Sequence, residues 1–573
     1  MAAGGAALHL PVLRGGVRYR SLAAAPLHDL RSGERLAEIG LAHPALIARD
    51  LGGDGPGGAH AAAAPSSGGA GGGGGAGSAA PDAIGTLGDL TLAERLAICR
   101  RAADLFALGE LPVGYDGETQ SPDDYLRQLA ATAGMPFTLG RANLEKLRAT
   151  LAQMSEVVEG LTRGLPAAAF AGQVAEHLAA PAHFQRLSER LGAVLPSNSP
   201  GVHGLWLPAP ALGAGLALKP GRSEPWTPLR LLESLRAAGC PEAALSFYPT
   251  DHAGSAEILL RCGRSLLFGD AATVAPWRGD ARVQVHGPGF SKVIFGADQL
   301  AEWPAHLELV ASSILANGGR SCINASGVWL PAPAAGAVGG VGPAGARAAR
   351  AARAAGNAAG PGGPRSTPGR ELALALARRL AAVEALPLDD PRAVLAAWPE
   401  PAAARRVSDW IDRRLAPGEA EDLTAAVRGC GRVAMIDGCT FLLPTLLWVR
   451  EPGHPLAHAE LPFPFAAVVE APESELLRHI GPTLVATALT ADEDLRRQLL
   501  GCADIDHLHM GAVPTWQVSF AQPHEGNLFE LLYRRRAVRE GRLQQELAAN
   551  AVTAVDTTPA ASAAGGQREV AAP

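Results

Sequence analysis

The most informative absences in this 573-residue sequence concern membranes, secretion and nucleic acid. No uninterrupted apolar stretch approaches the roughly 20 residues that cross a bilayer. The amino-terminal residues lack the basic segment, apolar run and cleavage site of a signal peptide. The formal charge is −6, so there is none of the basic surplus that is typical of nucleic-acid binding. We therefore expect a cytoplasmic protein with no membrane span and no nucleic-acid partner.

Cysteine is sparse, and its spacing lacks the usual ligand motifs. The seven cysteines are scattered, and no two form a Cys-x-x-Cys pair, which indicates reduced thiols and no disulfide framework. His454 and His458 have a His-x-x-x-His spacing, but Gly453 and Pro455 oppose a helix that would present both rings. We interpret them as loop histidines and predict no metal site.

Three segments lack the large apolar side chains from which a core is built. Residues 52–82 and 332–369 are dominated by Gly, Ala, Ser and Pro. Such segments cannot bury enough surface to offset the entropy lost on ordering, so we predict two flexible inserts. The tail from about residue 548 is predicted to be disordered.

The remaining sequence predicts an α/β protein. Apolar residues recur with helical period between about 91 and 164. From about residue 194, short apolar strands (213–219, 245–248, 265–268, 282–285, 292–295) alternate with helices (228–239, 253–262). This alternation is typical of βαβ units and a parallel sheet, whose ligands bind at the carboxyl ends of the strands. A Gly-x-Gly-x-x-Gly dinucleotide fingerprint is absent.

The stretch from Asn317 to Cys322 is the strongest candidate for chemistry. It follows a predicted helix with apolar residues at Leu300, Trp303, Leu307, Val310 and Ile314. Gly318 and Gly319 are predicted to end that helix. A cysteine leaving such a turn near Arg320 is expected to be exposed and in electropositive surroundings, which favours the reactive thiolate. The alternative is a small buried hydrophobe, the usual state of a free cysteine.

Several motifs stand in a fixed order around this cysteine. They are Leu195-Pro-Ser-Asn-Ser-Pro200, Leu216-Ala-Leu-Lys-Pro220, Leu267-Phe-Gly-Asp270, His286-Gly-Pro-Gly-Phe-Ser-Lys292, Gly319-Arg-Ser-Cys322 and Glu460-Leu-Pro-Phe-Pro464. Over roughly residues 194–520, this order resembles the aldehyde dehydrogenase superfamily. The resemblance implies a parallel-sheet nucleotide-binding domain within residues 1–287, an α/β catalytic domain at 288–521 and a carboxyl-terminal extension at 522–573.

The resemblance also implies a reaction. Cys322 would attack an aldehyde to give a thiohemiacetal and then, after hydride transfer to NAD or NADP, a thioester. Asn198 would donate a hydrogen bond to the developing oxyanion. His286 stands where the family has its glutamate base. A histidine can act as a base near neutral pH, or it can be a structural substitute, and both interpretations stay open.

Further implied residues concern the cofactor. Lys219 would contact the adenosine ribose, and Glu460 the nicotinamide ribose. Gly269 and Asp270 would lie near the nicotinamide and pyrophosphate, although Asp270 adds a charge where the family has serine. Glu224 at a ribose hydroxyl would favour NAD, whereas Arg222 at a 2′-phosphate would favour NADP.

The missing glutamate leaves two other functions open. The acyl group could pass to coenzyme A, as in an acylating dehydrogenase or acyl-thioester reductase, or the chain could be a catalytically lapsed scaffold. The relatives implied by the resemblance are commonly dimers or tetramers, so a homo-oligomer is one option. Gln522-Pro-His-Glu-Gly-Asn527 is interpreted as a turn, with a wall of the substrate entrance as the alternative.

Overall fold

The computed structural model describes residues 8–52, 84–177, 180–332 and 367–539. The predicted flexible inserts and disordered tail lie outside these residues, apart from a few positions at the ends of the inserts. One insert is shorter than predicted, because a helix capped by Thr367 already begins at Pro368. The chain divides into a large unit, residues 1–164 and 186–534, and a small unit, residues 165–185 and 535–573.

The amino-terminal part of the chain supplies an arm of short strands and a group of helices. Up to residue 186 its elements are β1 (Leu8–Leu10), β2 (Val12–Arg14), β3 (Val17–Tyr19), β4 (Ala24–His28), β5 (Arg35–Gly40), α1 (Pro44–Asp50), α2 (Ile84–Asp89), α3 (Leu92–Leu108), β6 (Leu111–Pro112), β7 (Thr119–Gln120), α4 (Pro122–Ala133), α5 (Phe137–Ala152), α6 (Met154–Thr162), α7 (Ala167–Phe170), β8 (Ala175–His177) and β9 (Ala180–Arg186). Thr91 with Glu94, and Ser121 with Asp124, form the capping boxes that start α3 and α4.

The first large sheet follows from alternating strands and helices. Its elements are β10 (Arg190–Val194), α8 (Pro208–Ala211), β11 (Gly215–Lys219), α9 (Trp226–Ala237), β12 (Leu245–Phe247), α10 (His252–Arg261), β13 (Arg264–Phe268), α11 (Ala271–Val274) and β14 (Val283–His286). The strand order is β14-β13-β10-β11-β12-β2-β3. Strands β10 to β14 are mutually parallel, whereas the β2–β3 hairpin joins the sheet antiparallel. The predicted parallel α/β architecture is confirmed.

A second seven-stranded sheet is built from the following part of the chain. The described elements from residue 292 onward are β15 (Lys292–Phe295), α12 (Trp303–Leu315), β16 (Gly327–Pro331), α13 (Pro368–Ala381), α14 (Pro401–Asp412), β17 (Ala420–Asp422), α15 (Leu423–Arg428), β18 (Val433–Ile436), β19 (Cys439–Leu442), β20 (Thr445–Val449), β21 (Phe465–Ala471), α16 (Leu476–Ile480), β22 (Thr483–Leu489), α17 (Glu493–Leu500), β23 (Ile505–Met510), α18 (Leu528–Leu532) and β24 (Tyr533–Arg536). The order is β17-β20-β21-β16-β15-β22-β23. The nucleotide-binding and catalytic labels for the two sheets remain predictions.

Both faces of the second sheet are buried. Along β15, Val293 and Phe295 enter one apolar cluster while Ile294 enters the other, as the two-residue repeat of a strand requires. A parallel sheet covered on both faces is built from such continuous apolar runs. The apolar run at 441–449 is divided between two strands, β19 and β20, since Pro444 between them has no N–H for a strand ladder.

The small unit contains α7, all of β8 and most of β9. Within this unit, β8 pairs antiparallel with β9. In the ranges that the structure describes, no helix combines the length and apolar character needed to cross a membrane.

A tight turn after α12 delivers the cysteine segment. Pro304 lies in the first turn of α12, where a missing N–H is harmless. After the helix, Asn317, Gly318 and Gly319 are all left-handed, with φ of 52°, 64° and 70°. Gly319 lies against the 463–464 backbone so closely that a Cβ would come 2.2 Å from the Pro464 nitrogen. The turn therefore needs glycine for its conformation and for its space.

We predict that Gly319→Ala destabilises the fold by about 3 kcal/mol or more, because left-handed strain and overpacking add. The measurement is the urea unfolding midpoint. Gly429→Ala is the matched control, since Gly429 has the same φ of 70° and nothing lies within 4 Å of the place that a Cβ would take. That control should lose only about 1–2 kcal/mol. Equal losses in the two variants would show that the approach to Pro464 is unimportant.

Candidate active site

A cavity of about 510 Å³ lies within the large unit, where several strands of the first sheet end. Residues from six segments and from α5 line it: 196–205, 268–270, 286–288, 316–324, 460–462 and 516–525. Of the predicted site residues, the cavity brings together Cys322, Asn198, His286, Gly269, Asp270 and Glu460. Lys219 and Glu224 are not among the lining residues.

Cys322 is fixed by hydrogen bonds to its own segment and to the start of β15. The Ser291 hydroxyl donates to the Cys322 carbonyl over 2.8 Å. Asn324 accepts the Ser321 N–H through its side-chain oxygen and donates to the Ala316 carbonyl. The thiol Sγ consequently lies in the cavity, 3.9 Å from Nε2 of His524. This distance is within the range of a sulfur–imidazole hydrogen bond.

Arg320 does not provide the predicted electropositive surroundings. Its side chain is buried, with 7% of the residue exposed, and it donates to the carbonyls of Ala133 and Ala397. The guanidinium therefore anchors the turn to neighbouring backbone and is turned away from the thiol. The prediction failed because adjacency in sequence does not fix the direction of a side chain.

The cleft disfavours charge on both the thiol and the imidazole. Burial, with the carboxylates of Glu525 and Glu460, raises the pKa of Cys322 well above its ordinary value. Burial, with neighbouring His286, lowers the pKa of His524 well below its ordinary value. Both shifts favour the neutral form of the group. The expectation of an exposed, thiolate-favouring site was wrong, because Cys322 is only partly exposed and its surroundings favour the thiol.

His286 is held on every side. The Gln284 amide donates to Nε2 over 3.0 Å, and Nδ1 donates to Glu525 over 2.5 Å. The ring stacks on Phe268 with centroids 4.4 Å apart and lies nearly parallel to His524. Because both ring nitrogens are occupied and only 4% of the residue is exposed, this arrangement favours the structural interpretation over a free base.

His524 and Glu525 come from the 522–527 segment, which is both a turn and a wall of the cavity. Glu525 has a φ of 53° and Gly526 a φ of 135°, while Asn527 caps α18. The signal for a site was the adjacent His-Glu pair followed by glycine. The sequence predicted a turn or an entrance wall for the whole segment but no role for either residue, since nothing local shows that His524 contacts Cys322.

Asn198 and Glu460 also face the cavity with part of their hydrogen-bonding capacity committed. The Asn198 amide donates to the Arg320 carbonyl over 2.7 Å, which leaves its second N–H available. Glu460 accepts the backbone N–H of Phe290. Burial raises the pKa of Glu460 to about 7. Glu460 thereby ties the cleft to Phe290, which itself has a left-handed φ of 48°.

The structure changes the interpretation of Glu224. Only 1% of the residue is exposed, and one oxygen accepts both the backbone N–H and the hydroxyl of Thr227. The other oxygen lies 3.2 Å from His203 Nε2. Glu224 therefore serves the start of α9 and has no oxygen for a ribose hydroxyl, contrary to the role assigned from its sequence position.

Two cationic residues, Lys219 and Arg222, lie at and just after the end of β11. Lys219 ends β11, and Arg222 is exposed three residues later. Burial and the charge of Arg222 lower the pKa of Lys219. Within the described ranges, neither side chain has an ion-pair partner. Two cations without an ion-pair partner among the described residues suit an anionic ligand such as a phosphate.

The Gly269-Asp270 turn is compatible with a dinucleotide. A Cβ on Gly269 would come 2.6 Å from the Thr273 side chain, so this position of the turn favours glycine. Asp270 accepts the Thr273 N–H over 2.8 Å as the cap of α11, and this bonding lowers its pKa. Its charge is thus directed to the helix end. Together with the Lys219–Arg222 pair and the cavity, these residues fit NAD or NADP.

Comparison with known proteins supports the fold. Neither the family models nor the curated protein sequences give a match. Among solved structures, the aldehyde dehydrogenase KauB from Pseudomonas aeruginosa superposes with a TM-score of 0.66 at 15% identity, over 93% of this chain and 96% of that chain. An NAD⁺ complex of aldehyde dehydrogenase from Bacillus cereus gives 0.65 and 14%, over 92% and 96%. Indole-3-acetaldehyde dehydrogenase with NAD⁺ gives 0.65 and 15%, over 93% and 97%.

These likenesses extend over most of both chains at low identity. They show that this chain has the aldehyde dehydrogenase fold, and the resemblance predicted from the motif order is confirmed at that level. The roles of individual residues rest on the geometry described above.

The raised pKa of Cys322 predicts its reactivity toward iodoacetamide. Only the thiolate is alkylated, so the rate should be low at pH 7 and rise about tenfold per pH unit, without levelling off before pH 9. Mass spectrometry of the Cys322 peptide measures the rate. The exposed Cys430 in the same digest is the reference. A plateau below pH 8 would instead show a thiolate–imidazolium pair with His524.

Proposed function

We propose that this protein is an NAD(P)-dependent aldehyde dehydrogenase that works through a covalent adduct on Cys322. The observation that carries the proposal is the 3.9 Å approach of the Cys322 thiol to His524 inside a cavity of about 510 Å³. A nucleophile paired with a base in a concave site is the arrangement that covalent catalysis needs. The fold adds support, since the solved structures that share it include dehydrogenases in complex with NAD⁺.

The first step is attack by Cys322 on the aldehyde carbonyl. The thiol proton passes to Nε2 of His524, and the new C–S bond gives a thiohemiacetal. Nε2 lies 3.9 Å from the thiol, and a neutral imidazole has one ring nitrogen with a lone pair that can take this proton. The free N–H of Asn198 and the backbone N–H of Cys322 serve the oxygen that gains charge. Loss of one such donor typically raises a barrier by about 2.7–4 kcal/mol.

His286 and Glu525 have a positioning role in this proposal. His286 fixes the plane of the neighbouring His524 ring by near-parallel stacking and fixes Glu525 through Nδ1. Glu525 in turn raises the pKa of Cys322. Burial is the larger cause of that rise, and together with Glu525 it favours the protonated thiol.

The cofactor, when bound, supplies the hydride acceptor that converts the thiohemiacetal to a thioester. Gly269 and Asp270 would border it in the cavity, Glu460 would face its nicotinamide ribose, and Lys219 would face its adenosine end. Since Glu224 is buried and Arg222 is exposed beside Lys219, we favour NADP over NAD.

A specific observation favours coenzyme A as an alternative acyl acceptor. Hydrolysis needs a base that activates water, but Glu525 is bonded to His286 and Glu460 accepts the N–H of Phe290. Neither ring nitrogen of His286 is open. A thiol needs less activation than water, so an acylating dehydrogenase, or an acyl-thioester reductase in the reverse direction, is the second candidate function.

The proposal includes a cytoplasmic location, supported by seven free thiols. Formation of a homo-oligomer remains a prediction from the resemblance.

The test is turnover measured by absorbance of the reduced nicotinamide. We expect signal with a panel of aldehydes and NADP, and at least about a thousandfold loss in Cys322→Ser, because the hydroxyl is a much weaker nucleophile than the thiol. Cys502→Ser is the matched control, since Cys502 is also partly exposed but does not line the cavity. It should retain full activity.

Parallel reactions with and without coenzyme A separate the two candidate functions. Signal without coenzyme A supports the hydrolytic dehydrogenase, and signal only with it supports the acylating enzyme. Full activity in Cys322→Ser would contradict both. Absence of all signal from folded protein that also fails to bind NAD and NADP would support the lapsed scaffold.

A further inference from the structure

Lys146 is a cationic side chain in the cavity that the proposed reaction does not use. It lies on α5 and lines the same cavity as Cys322. Part of the cavity wall is apolar and is formed by Leu139, Ala142, Val202, Leu205, Val518 and Phe520. The cavity thus combines an apolar surface, a nucleophile and an ammonium group.

No carboxylate neutralises this ammonium group in the part of the chain that the structure describes. The acidic groups of the cavity are committed elsewhere: Glu525 to His286, Glu460 to the Phe290 N–H, and Asp270 to the Thr273 N–H. The charge instead lies against the ring of Phe520, whose centroid is 5.2 Å from Nζ. A cation–π contact only partly offsets the hydration that a charge loses in a cleft.

Lys146 lines the same cavity as the reacting pair, Cys322 and His524. Burial is the main cause of its lowered pKa, as expected for a cation without an anion. Its charge lowers the pKa of His524 and opposes the rise in the pKa of Cys322. An anion bound to Lys146 would therefore lie close to a substrate attached to Cys322.

We propose that Lys146 binds an anionic group of the substrate, and that the protein acts on aldehydes whose apolar chain carries a carboxylate or a similar anion. The identification of the substrate as an aldehyde rests on the proposed function, whereas the anion site itself rests on the geometry of the cavity. An unpaired ammonium group favours a substrate that neutralises its charge. It disfavours a neutral substrate, which would bury the ammonium group without a partner.

Turnover of matched aldehydes gives the first test. Pairs of equal chain length, ending in a carboxylate or a methyl group, are compared in wild type, Lys146→Met and Lys146→Arg. We expect Lys146→Met to lower kcat/KM for the carboxylate about tenfold or more, mainly through KM, and to change the methyl partner less than about twofold. Lys146→Arg should restore most of the preference. Arg148→Met is the control on the same helix, since Arg148 pairs with Asp104.

Alkylation of Cys322 gives a second test that needs no turnover. Iodoacetate and iodoacetamide attack the same thiolate and differ in charge. The rate with iodoacetate divided by the rate with iodoacetamide is therefore independent of any effect of Lys146 on the thiol pKa. We expect this ratio to be higher at Cys322 than at the exposed Cys430, and to fall about fivefold or more in Lys146→Met. It should be unchanged in Arg148→Met.

The two tests separate failure of this inference from failure of the proposed function. An unchanged alkylation ratio in Lys146→Met would overturn the anion site, whether or not aldehydes are oxidised. A preference for methyl-ended aldehydes in wild type would overturn the substrate class. A fallen ratio without any aldehyde turnover would support the anion site and count against the dehydrogenase.

Discussion

Cys322 Sγ and His524 Nε2 lie 3.9 Å apart in a cleft where burial raises the pKa of one and lowers that of the other. A neutral thiol beside a neutral imidazole costs less in a partly dry site than two separated charges would. In the proposed mechanism, the proton moves from sulfur to nitrogen as the carbonyl carbon of a bound aldehyde takes the sulfur's electrons. Low reactivity at rest and nucleophilic attack on a bound aldehyde are consistent with the same arrangement.

That contact depends on backbone features far apart in the chain. Three consecutive left-handed residues at 317–319 deliver the cysteine, and Arg320 anchors the turn by donating to two carbonyls. On the other side, the left-handed Glu525 turns His524 into the cavity. His286 and Phe268 form the stack behind that ring. The rigidity of the site therefore comes from its surrounding hydrogen bonds, as a preorganised site requires.

The sequence predicted those features that depend on local pattern. Alternating apolar strands and helices identified the parallel sheets, and paired glycines identified the turn before Cys322. The motif order identified the fold, which is confirmed by solved structures at 14–16% identity. Features that depend on distant contacts were not predictable in this way. His524 contacts Cys322 although the two residues are 202 positions apart in the sequence, and no periodic pattern indicates such a contact.

Charged residues were the least predictable part of the site. Glu224 and Arg320 were expected to face a ligand or solvent, yet both are buried with hydrogen-bonding partners. Lys146 lies in the region with a predicted helical period, but that period does not indicate that its side chain faces the cavity. A helical stripe indicates which face packs, but a long side chain at the margin of that face can turn toward either side. Its direction is decided by three-dimensional neighbours.

The measurement that tests the central claim most directly is mass spectrometry of the protein quenched in acid soon after mixing with NADP and an aldehyde, without coenzyme A. The account predicts an acyl group on the Cys322 peptide, formed in wild type and absent from Cys322→Ser. Turnover accompanied by an acyl group on another residue, or by none under conditions that preserve thioesters, would contradict it.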